Sequence, residues 1–251
     1  MNAIADHARL NALLYQFADG YLGKLGWMHS LDGTPRDALG FVPYITYPAL
    51  RQLQRIIRPG MRVFEHGCGA SSLWWAAQGA TVVSVEHDRG WAESVAARGA
   101  HVVVHERAAP GGDPALLAAF HAARPDLPLS PDDAHNLMHG LTNDDFLAYA
   151  TEITRHDPFD VVVVDGMARC LTAFLAPRCL RPGGFILFDN SDRWQYNWAF
   201  RHLRDAGFYR LDFCGPGPVN RIEWCTSIFA RDLTAFGGSV ERPRGDCDLG
   251  W

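Results

Sequence analysis

The feature that most constrains the fold is a glycine-rich turn between a short strand and a helix. Met61–Asp88 reads MRVFEHGCGASSLWWAAQGATVVSVEHD. An apolar strand ends at Glu65, and a Gly-x-Gly turn follows at Gly67 and Gly69. A helical run and a second strand ending in Glu86 come next. This order predicts a β-α-β unit in which the glycines let the backbone turn tightly and approach a ligand.

The two carboxylates indicate which ligand the turn holds. Glu86 follows Gly67 by about 20 residues, where such units place a carboxylate against ribose hydroxyls. A dinucleotide-binding turn would have a third glycine at the position of Ser72. Glu65 would repel a pyrophosphate, but it suits an ammonium group. S-adenosylmethionine carries an ammonium group and a ribose and has no phosphate, so it fits these residues better than a dinucleotide.

The amino-acid sequence of the motif resembles that of a known superfamily. VFEHGCGASSLWWA, followed by SVEHDRGW, resembles the cofactor-binding core of class I S-adenosylmethionine-dependent methyltransferases. It is most similar to a bacterial small-molecule subgroup whose first motif reads roughly F-E-Y-G-S-G-N-S-T-L-W-W. The later stretch LRPGGFILFDN, in which Phe185–Phe188 is predicted to form a strand after the two glycines, resembles the same superfamily. The resemblance implies a cofactor site made of Glu65, Gly67, Gly69, Ser71, Ser72, Glu86, His87, Trp91 and Tyr47.

Strands and helices alternate along the chain, which predicts an α/β protein with a doubly wound sheet. The resemblance implies a single Rossmann-like sheet of seven strands, mostly parallel with one antiparallel strand. We expect one domain over 1–251, with a cofactor-binding core at 61–230 and a tail at 232–251. Residues 1–57 are predicted to form an N-terminal helix and a cap segment. The length of 251 residues allows a sizeable core.

The segment from Gly23 to Thr46 is rich in glycine, proline and side chains that can contact small molecules. The subgroup carries a similar segment of the form G-W-x-x-S, then P-x-D, then P-W-x-T-Y-P. Two interpretations remain open: a cap over the active site, or a surface wrap that fills an apolar groove. Residues 108–141 are predicted to be an irregular insertion, and the sequence does not indicate its function.

Acidic side chains are predicted at the carboxyl ends of four strands, where open α/β sheets bind ligands. They are Glu65, Glu86, Asp165 and Asp189. Asp165, Asp189 and Asn190 could hold Mg²⁺, as similar strand-end residues do in catechol- and caffeoyl-CoA-type O-methyltransferases. In the alternative, which the rest of the chain favours, Asp165 contacts cofactor or acceptor directly and Asp189–Asn190 caps the next turn.

We therefore predict methyl transfer to a small-molecule acceptor, with oxygen slightly favoured over nitrogen. The candidates for a catalytic role are Asp165, His29 and Tyr44, with Asp37 as a further potential base. An NAD-dependent oxidoreductase is a rival because Glu86 would also serve its ribose. A second alternative is a catalytically inactive partner subunit that binds S-adenosylmethionine. It remains open because four residues differ from the subgroup's motif: His66, Cys68, Ala70 and Ser72.

The net charge and the cysteine pattern indicate which classes of partner and which cellular compartment to expect. A net charge of −5 gives no electrostatic footprint for nucleic acid or an anionic membrane. The six cysteines show no C-x-x-C pair or zinc spacing, which indicates free buried thiols. We find no signal-peptide pattern and no apolar run of about 18 residues. We expect a cytoplasmic protein with no nucleic-acid or membrane partner, and a homo-oligomer remains open.

Overall fold

The computed structural model describes residues 27, 30, 42–106, 109–123, 143–220 and 222–236. Most of the predicted cap segment, including His29 and Asp37, lies outside the described residues. The same holds for most of the irregular insertion and of the tail. The part of the chain that is described contains no helix long and apolar enough to cross a membrane.

Seven strands form one sheet in the order β3-β2-β1-β4-β5-β7-β6. β7 is antiparallel to both of its neighbours, and the other strands are parallel. The structure confirms the predicted fold class, a Rossmann-like α/β sheet with one antiparallel strand. The strands are β1 Arg62–His66, β2 Thr81–Glu86, β3 Val102–Val104, β4 Phe159–Val164, β5 Leu180–Asp189, β6 Tyr209–Gly215 and β7 Trp224–Ala230.

Helices cover both faces of this sheet. The helices are α1 Tyr47–Ile56, α2 Ala70–Ala77, α3 Arg89–Ala96, α4 Pro114–Ala122, α5 Leu147–Thr151, α6 Arg169–Leu175 and α7 Asn197–Asp205. Short 3₁₀ turns lie at Asn143–Phe146, Glu152–Arg155, Ala176–Arg178, Trp194–Tyr196 and Thr234–Phe236. α1 and α2 pack on one face, and α4 to α7 pack on the other.

Residue patterns within single segments explain why the main strands and helices form. The run of valines in β4 is almost wholly buried, as expected for a central parallel strand covered on both faces. Pro48 lies in the first turn of α1, where a missing N–H costs nothing. The Asp88 side chain caps α3 by accepting a hydrogen bond of 2.8 Å from the Trp91 backbone N–H.

Two expectations about individual elements were wrong. β5 begins at Leu180, ahead of the glycines at 183 and 184, because Leu180 already pairs with Phe159 of β4 before a register shift. The strand was predicted to begin only at Phe185. Five described cysteines are free thiols, but Cys214 is exposed because it lies on the edge strand β6.

The order of the strands locates the binding edge. The chain builds the sheet outward from β1 to β3 in one direction and continues from β4 on the other side of β1. Loops from neighbouring β1 and β4 therefore diverge at the carboxyl edge and leave a crevice, which is where such sheets bind ligands. The ends of β1, β2, β4 and β5 bring their polar residues to this crevice.

Candidate functional site

A cleft of about 340 Å³ opens at the carboxyl edge of the sheet. Residues after four strands line it, so it joins the glycine turn to the ends of β4 and β5. The lining residues are Gly67, Cys68, Ser71, Glu86, Asp165, Gly166, Met167, Ala168, Arg169, Asn190, Arg193 and Tyr196. The cleft therefore has one half at β1 and β2 and another half at β4 and β5.

The glycine turn is held backbone to backbone against the loop after β4. Gly67 has a φ of +92°, and a Cβ at this position would lie 3.1 Å from Cα and N of Gly166. The Gly166 N–H donates to the His66 carbonyl oxygen at 2.8 Å. On the open side, Trp91 Nε1 donates to the Cys68 carbonyl oxygen at 2.7 Å. The turn is therefore fixed from two sides.

Glu86 presents a carboxylate to the β1–β2 half of the cleft. Its Oε1 accepts hydrogen bonds from the backbone N–H groups of His87 and Asp88, and its Oε2 accepts one from Cys68 at 3.1 Å. Burial would raise the pKa of Glu86, but the His87 side chain and these N–H groups lower it below its usual value. A carboxylate offers about four acceptor positions, so one remains on Oε2. Glu86 is a fixed anion with room for one more donor.

Glu65 is fully buried beneath the turn. Its Oε2 accepts hydrogen bonds from the hydroxyls of Ser72 and Ser84, whereas Oε1 has no hydrogen-bond partner in the described part of the chain. Burial raises the pKa of Glu65 to about 7, against the opposing effect of the serine hydroxyls. An unpartnered buried carboxylate oxygen is costly, so Oε1 is the atom of Glu65 at which a further donor would be stabilising.

Glu65 does not line the main cleft. It lines a smaller cavity formed with apolar side chains such as Pro43, Ile45 and Trp74. Ser71 and Asp165 line both this cavity and the cleft, so the two spaces are adjacent. A ligand in the cleft could reach Glu65 past these two side chains.

Arg169 organises the β4–β5 half of the cleft. It was not identified from the sequence. Its Nη2 donates to Asp165 Oδ1 at 2.9 Å, its Nη1 donates to Asn190 Oδ1 at 3.0 Å, and its Nε donates to the Gly166 carbonyl oxygen at 3.0 Å. Ala168, with a φ of 50°, places Arg169 at the start of α6. The one available signal was its position four residues after the strand-end acid Asp165.

The residues predicted for a metal do not converge. Asp189 faces β7, where its Oδ1 accepts hydrogen bonds from Trp224 Nε1 and Thr226 Oγ1. Burial raises the pKa of Asp189 to about 7. The Arg169 guanidinium lies between Asp165 and Asn190, where a cation would have to bind. Across the described residues, no group of three or more His, Cys, Asp or Glu side chains is arranged to hold a metal ion.

We therefore expect turnover to be independent of a divalent cation. The guanidinium already supplies the positive charge between Asp165 and Asn190, and Mg²⁺ would have to displace it. Once an acceptor is known, dialysis against a chelator should leave the rate of S-adenosylhomocysteine formation unchanged. A rate that disappears with the chelator and returns with Mg²⁺ would contradict this expectation.

Three further predicted residues lie apart from the cleft lining. Tyr47 is buried in the core between α1 and the sheet and lines neither cavity. Tyr44 is half-buried and lines neither cavity, although its neighbours Pro43 and Ile45 line the smaller one. His87 Nδ1 lies 2.6 Å from Glu86 Oε1 but off the direction of a good hydrogen bond.

No family model and no curated protein matches this sequence. Solved structures that are similar to it include three methyltransferases. A precorrin-6y C5,15-methyltransferase from Geobacter metallireducens is 13% identical, with a TM-score of 0.46 over 73% of this chain and 87% of that chain. A TehB-like SAM-dependent methyltransferase from Corynebacterium glutamicum is 12% identical, with a TM-score of 0.45 over 92% and 100%.

The third is a magnesium protoporphyrin IX methyltransferase from Synechocystis with bound SAM. It is 12% identical, with a TM-score of 0.40 over 69% of this chain and 71% of that chain. All three are described as methyltransferases. At this distance the similarity says nothing about the acceptor or the acting residues of this chain.

Proposed function

We propose that this protein is an S-adenosylmethionine-dependent methyltransferase that acts on a small-molecule acceptor, with oxygen favoured over nitrogen. The observation that supports it best is the pair of carboxylates around the glycine turn. Within the described part of the chain, one buried oxygen of Glu65 has no hydrogen-bond partner, and Glu86 keeps one acceptor position at the cleft. An ammonium group and a ribose hydroxyl are the donors that this pair suits.

The same residues suit two polar groups of this cofactor. Glu65 would hold the ammonium group, Glu86 would hold the ribose, and Gly67 would let the backbone approach closely. S-adenosylmethionine supplies a methyl group on a positively charged sulfur. The protein has to hold the acceptor in line with that group and exclude water.

Asp165 is the candidate base for a hydroxyl acceptor. It lines both cavities, and its side chain is 35% exposed to the cleft. Burial raises the pKa of Asp165, whereas the guanidinium groups of Arg169 and Arg193 oppose that rise. A carboxylate at this position can accept a proton from the acceptor, which favours oxygen as the acceptor atom.

The oxidoreductase alternative fits these residues less well. The pyrophosphate of NAD would lie at the turn, close to the Glu65 carboxylate. Ser72 occupies the position of the third glycine, and its hydroxyl is hydrogen-bonded to Glu65. An activity assay tests the alternative of an inactive subunit, because release of S-adenosylhomocysteine with any acceptor excludes it.

Removing the Glu86 carboxylate should weaken S-adenosylmethionine binding. We expect Glu86→Ala to lose about 1–3 kcal/mol of binding free energy, the range for hydrogen bonds to a charged group. Isothermal titration calorimetry gives the affinity. Glu93→Ala, which removes an exposed glutamate from α3, is the matched control and should bind as the wild type. Unchanged binding in a folded Glu86→Ala protein, or tighter binding of NAD, would refute the assignment.

Cofactor affinity should also depend on pH through Glu65. The pKa of Glu65 in the free protein is raised to about 7 by burial, and only the ionised form attracts an ammonium group. Affinity should therefore fall about tenfold for each pH unit below about 7, as the carboxylate becomes protonated. Calorimetry between about pH 5.5 and 7 measures the slope. Glu65→Gln should bind weakly and lose the slope, and a wild type without a slope would contradict this role.

A further inference from the structure

Arg193 is an arginine in the cleft that the proposed cofactor site does not use. It lies in the loop after β5, is half-buried and lines the cleft together with Asn190 and Tyr196. Its guanidinium makes no hydrogen bond or ion pair with any residue of the described ranges. Arg169 next to it differs, because its guanidinium is bonded to Asp165, Asn190 and backbone carbonyl oxygens.

The charged side chains in and around this half of the cleft differ in whether they have a directly bonded partner. Asp165 and Arg169 form an ion pair at 2.9 Å and neutralise each other. The carboxyl group of Asp189 faces Trp224 and Thr226 on β7 and does not line the cleft. Glu86 lies in the other half, where backbone N–H groups already hold its carboxylate. Among the charged side chains that line the cleft, Arg193 is therefore the one without a directly bonded partner in the described ranges.

We propose that the methyl acceptor is an organic anion, bearing a carboxylate or a phosphate, and that Arg193 binds its anionic group. This inference rests on the proposed function and specifies the acceptor. A guanidinium presents a planar fork of donors that matches both anions. Arg193 is then a specificity-determining residue, while the reacting hydroxyl of the acceptor lies toward Asp165.

A role as a second counter-charge for Asp165 does not account for Arg193. Asp165 already has a directly bonded guanidinium in Arg169, and the influence of Arg193 on its pKa acts without a direct bond. Such a through-space effect uses none of the hydrogen-bond donors of the guanidinium, and no residue of the described ranges takes them up.

Binding of simple anions tests this inference without a known acceptor. The probes are benzoate and phenyl phosphate, with benzamide as the neutral control of the same shape. Each is titrated by calorimetry into the wild type, with and without S-adenosylhomocysteine. We expect at least one anion to bind about tenfold or more tightly than benzamide, the scale of charge-assisted hydrogen bonds. The anion that binds tighter identifies the acceptor group.

Variants assign the effect to Arg193. Arg193→Gln should lose about tenfold or more of the anion affinity, and Arg193→Lys should retain part of it because it keeps the charge. Arg201→Gln, at an exposed arginine outside the cleft, is the matched control. All three variants should unfold like the wild type, since the side chains of Arg193 and Arg201 make no hydrogen bond or ion pair with any residue of the described ranges.

The outcomes separate this inference from the proposed function. Equal binding of the anions and benzamide, no anion binding, or an Arg193→Gln protein that binds anions as the wild type does would overturn the anionic acceptor. S-adenosylhomocysteine binding in the same samples would leave the methyltransferase proposal standing. Conversely, anion binding that depends on Arg193 without any cofactor binding would support the anion site and refute the methyltransferase.

Discussion

Replacing Arg169 by methionine is expected to lower the free energy of unfolding by about 3 kcal/mol. Arg169 is 11% exposed and bridges Asp165, Asn190 and the carbonyl oxygens of Gly166 and Asp189. Its removal leaves a carboxylate and several acceptors without partners inside the site. Loss of one partner of a buried ion pair costs about 3–5 kcal/mol, and the lower end applies because Asp165 is 35% exposed. Urea unfolding measures the change.

Two comparisons show whether the ion pair is the cause. Arg204→Met breaks a pair with Asp205 in which both side chains are mostly exposed, and it should change stability by at most about 1 kcal/mol. Adding Asp165→Asn to Arg169→Met should recover part of the loss, because the unpaired charge is gone. If the double variant is no more stable than Arg169→Met, the unpaired charge is not responsible.

Replacing Gly166 by alanine should have a similarly large effect and also remove cofactor binding. The added Cβ would overlap the hydroxyl of Tyr149 and lie 3.0 Å from the Gly67 nitrogen. Tyr149 is buried and cannot move away freely, and Gly67 belongs to the turn itself. Overpacking of this kind costs about 1–3 kcal/mol or more. The displaced turn should no longer bind S-adenosylmethionine measurably in calorimetry.

A glycine outside the site provides the contrast. Gly90 lies within α3, its φ is not positive, and an added Cβ would meet only an ordinary contact with Asp88 at 3.5 Å. Gly90→Ala should stabilise the protein by at most about 0.5 kcal/mol, because alanine favours the helix but position 90 lies in its first turn. Tyr149→Phe in the Gly166→Ala background should restore part of the lost stability. No recovery would mean that the clash lies with the turn alone.

The arrangement of the β1–β2 half of the cleft could be predicted because its residues are close in sequence. The glycine turn, Glu65 and Glu86 belong to one β-α-β unit, and the spacing within such a unit follows from the lengths of strand and helix. The order of elements along the chain likewise predicted the α/β sheet. The sequence alone therefore determined the fold class and the strand ends at which the acidic residues lie.

The tertiary structure decided which of these side chains act together. Asp189 was grouped with Asp165 and Asn190 as a possible metal site, but β7 arrives beside β5 and supplies Trp224 and Thr226 as its partners. Asp189 consequently faces β7. Since β7 comes late in the chain and runs antiparallel, no local pattern around Asp189 could indicate these bonds.

Arg169 and Tyr47 are two further residues whose contacts no local sequence pattern could indicate. Arg169 joins the ends of β4 and β5, so its role depends on two strands being neighbours at one edge. Tyr47 belongs to a motif shared with the methyltransferase subgroup, yet α1 packs its ring into the core. The sequence by itself determined the sheet, the turn and the two carboxylates around it. Only the packing of distant strands decided that a guanidinium lies between Asp165 and Asn190.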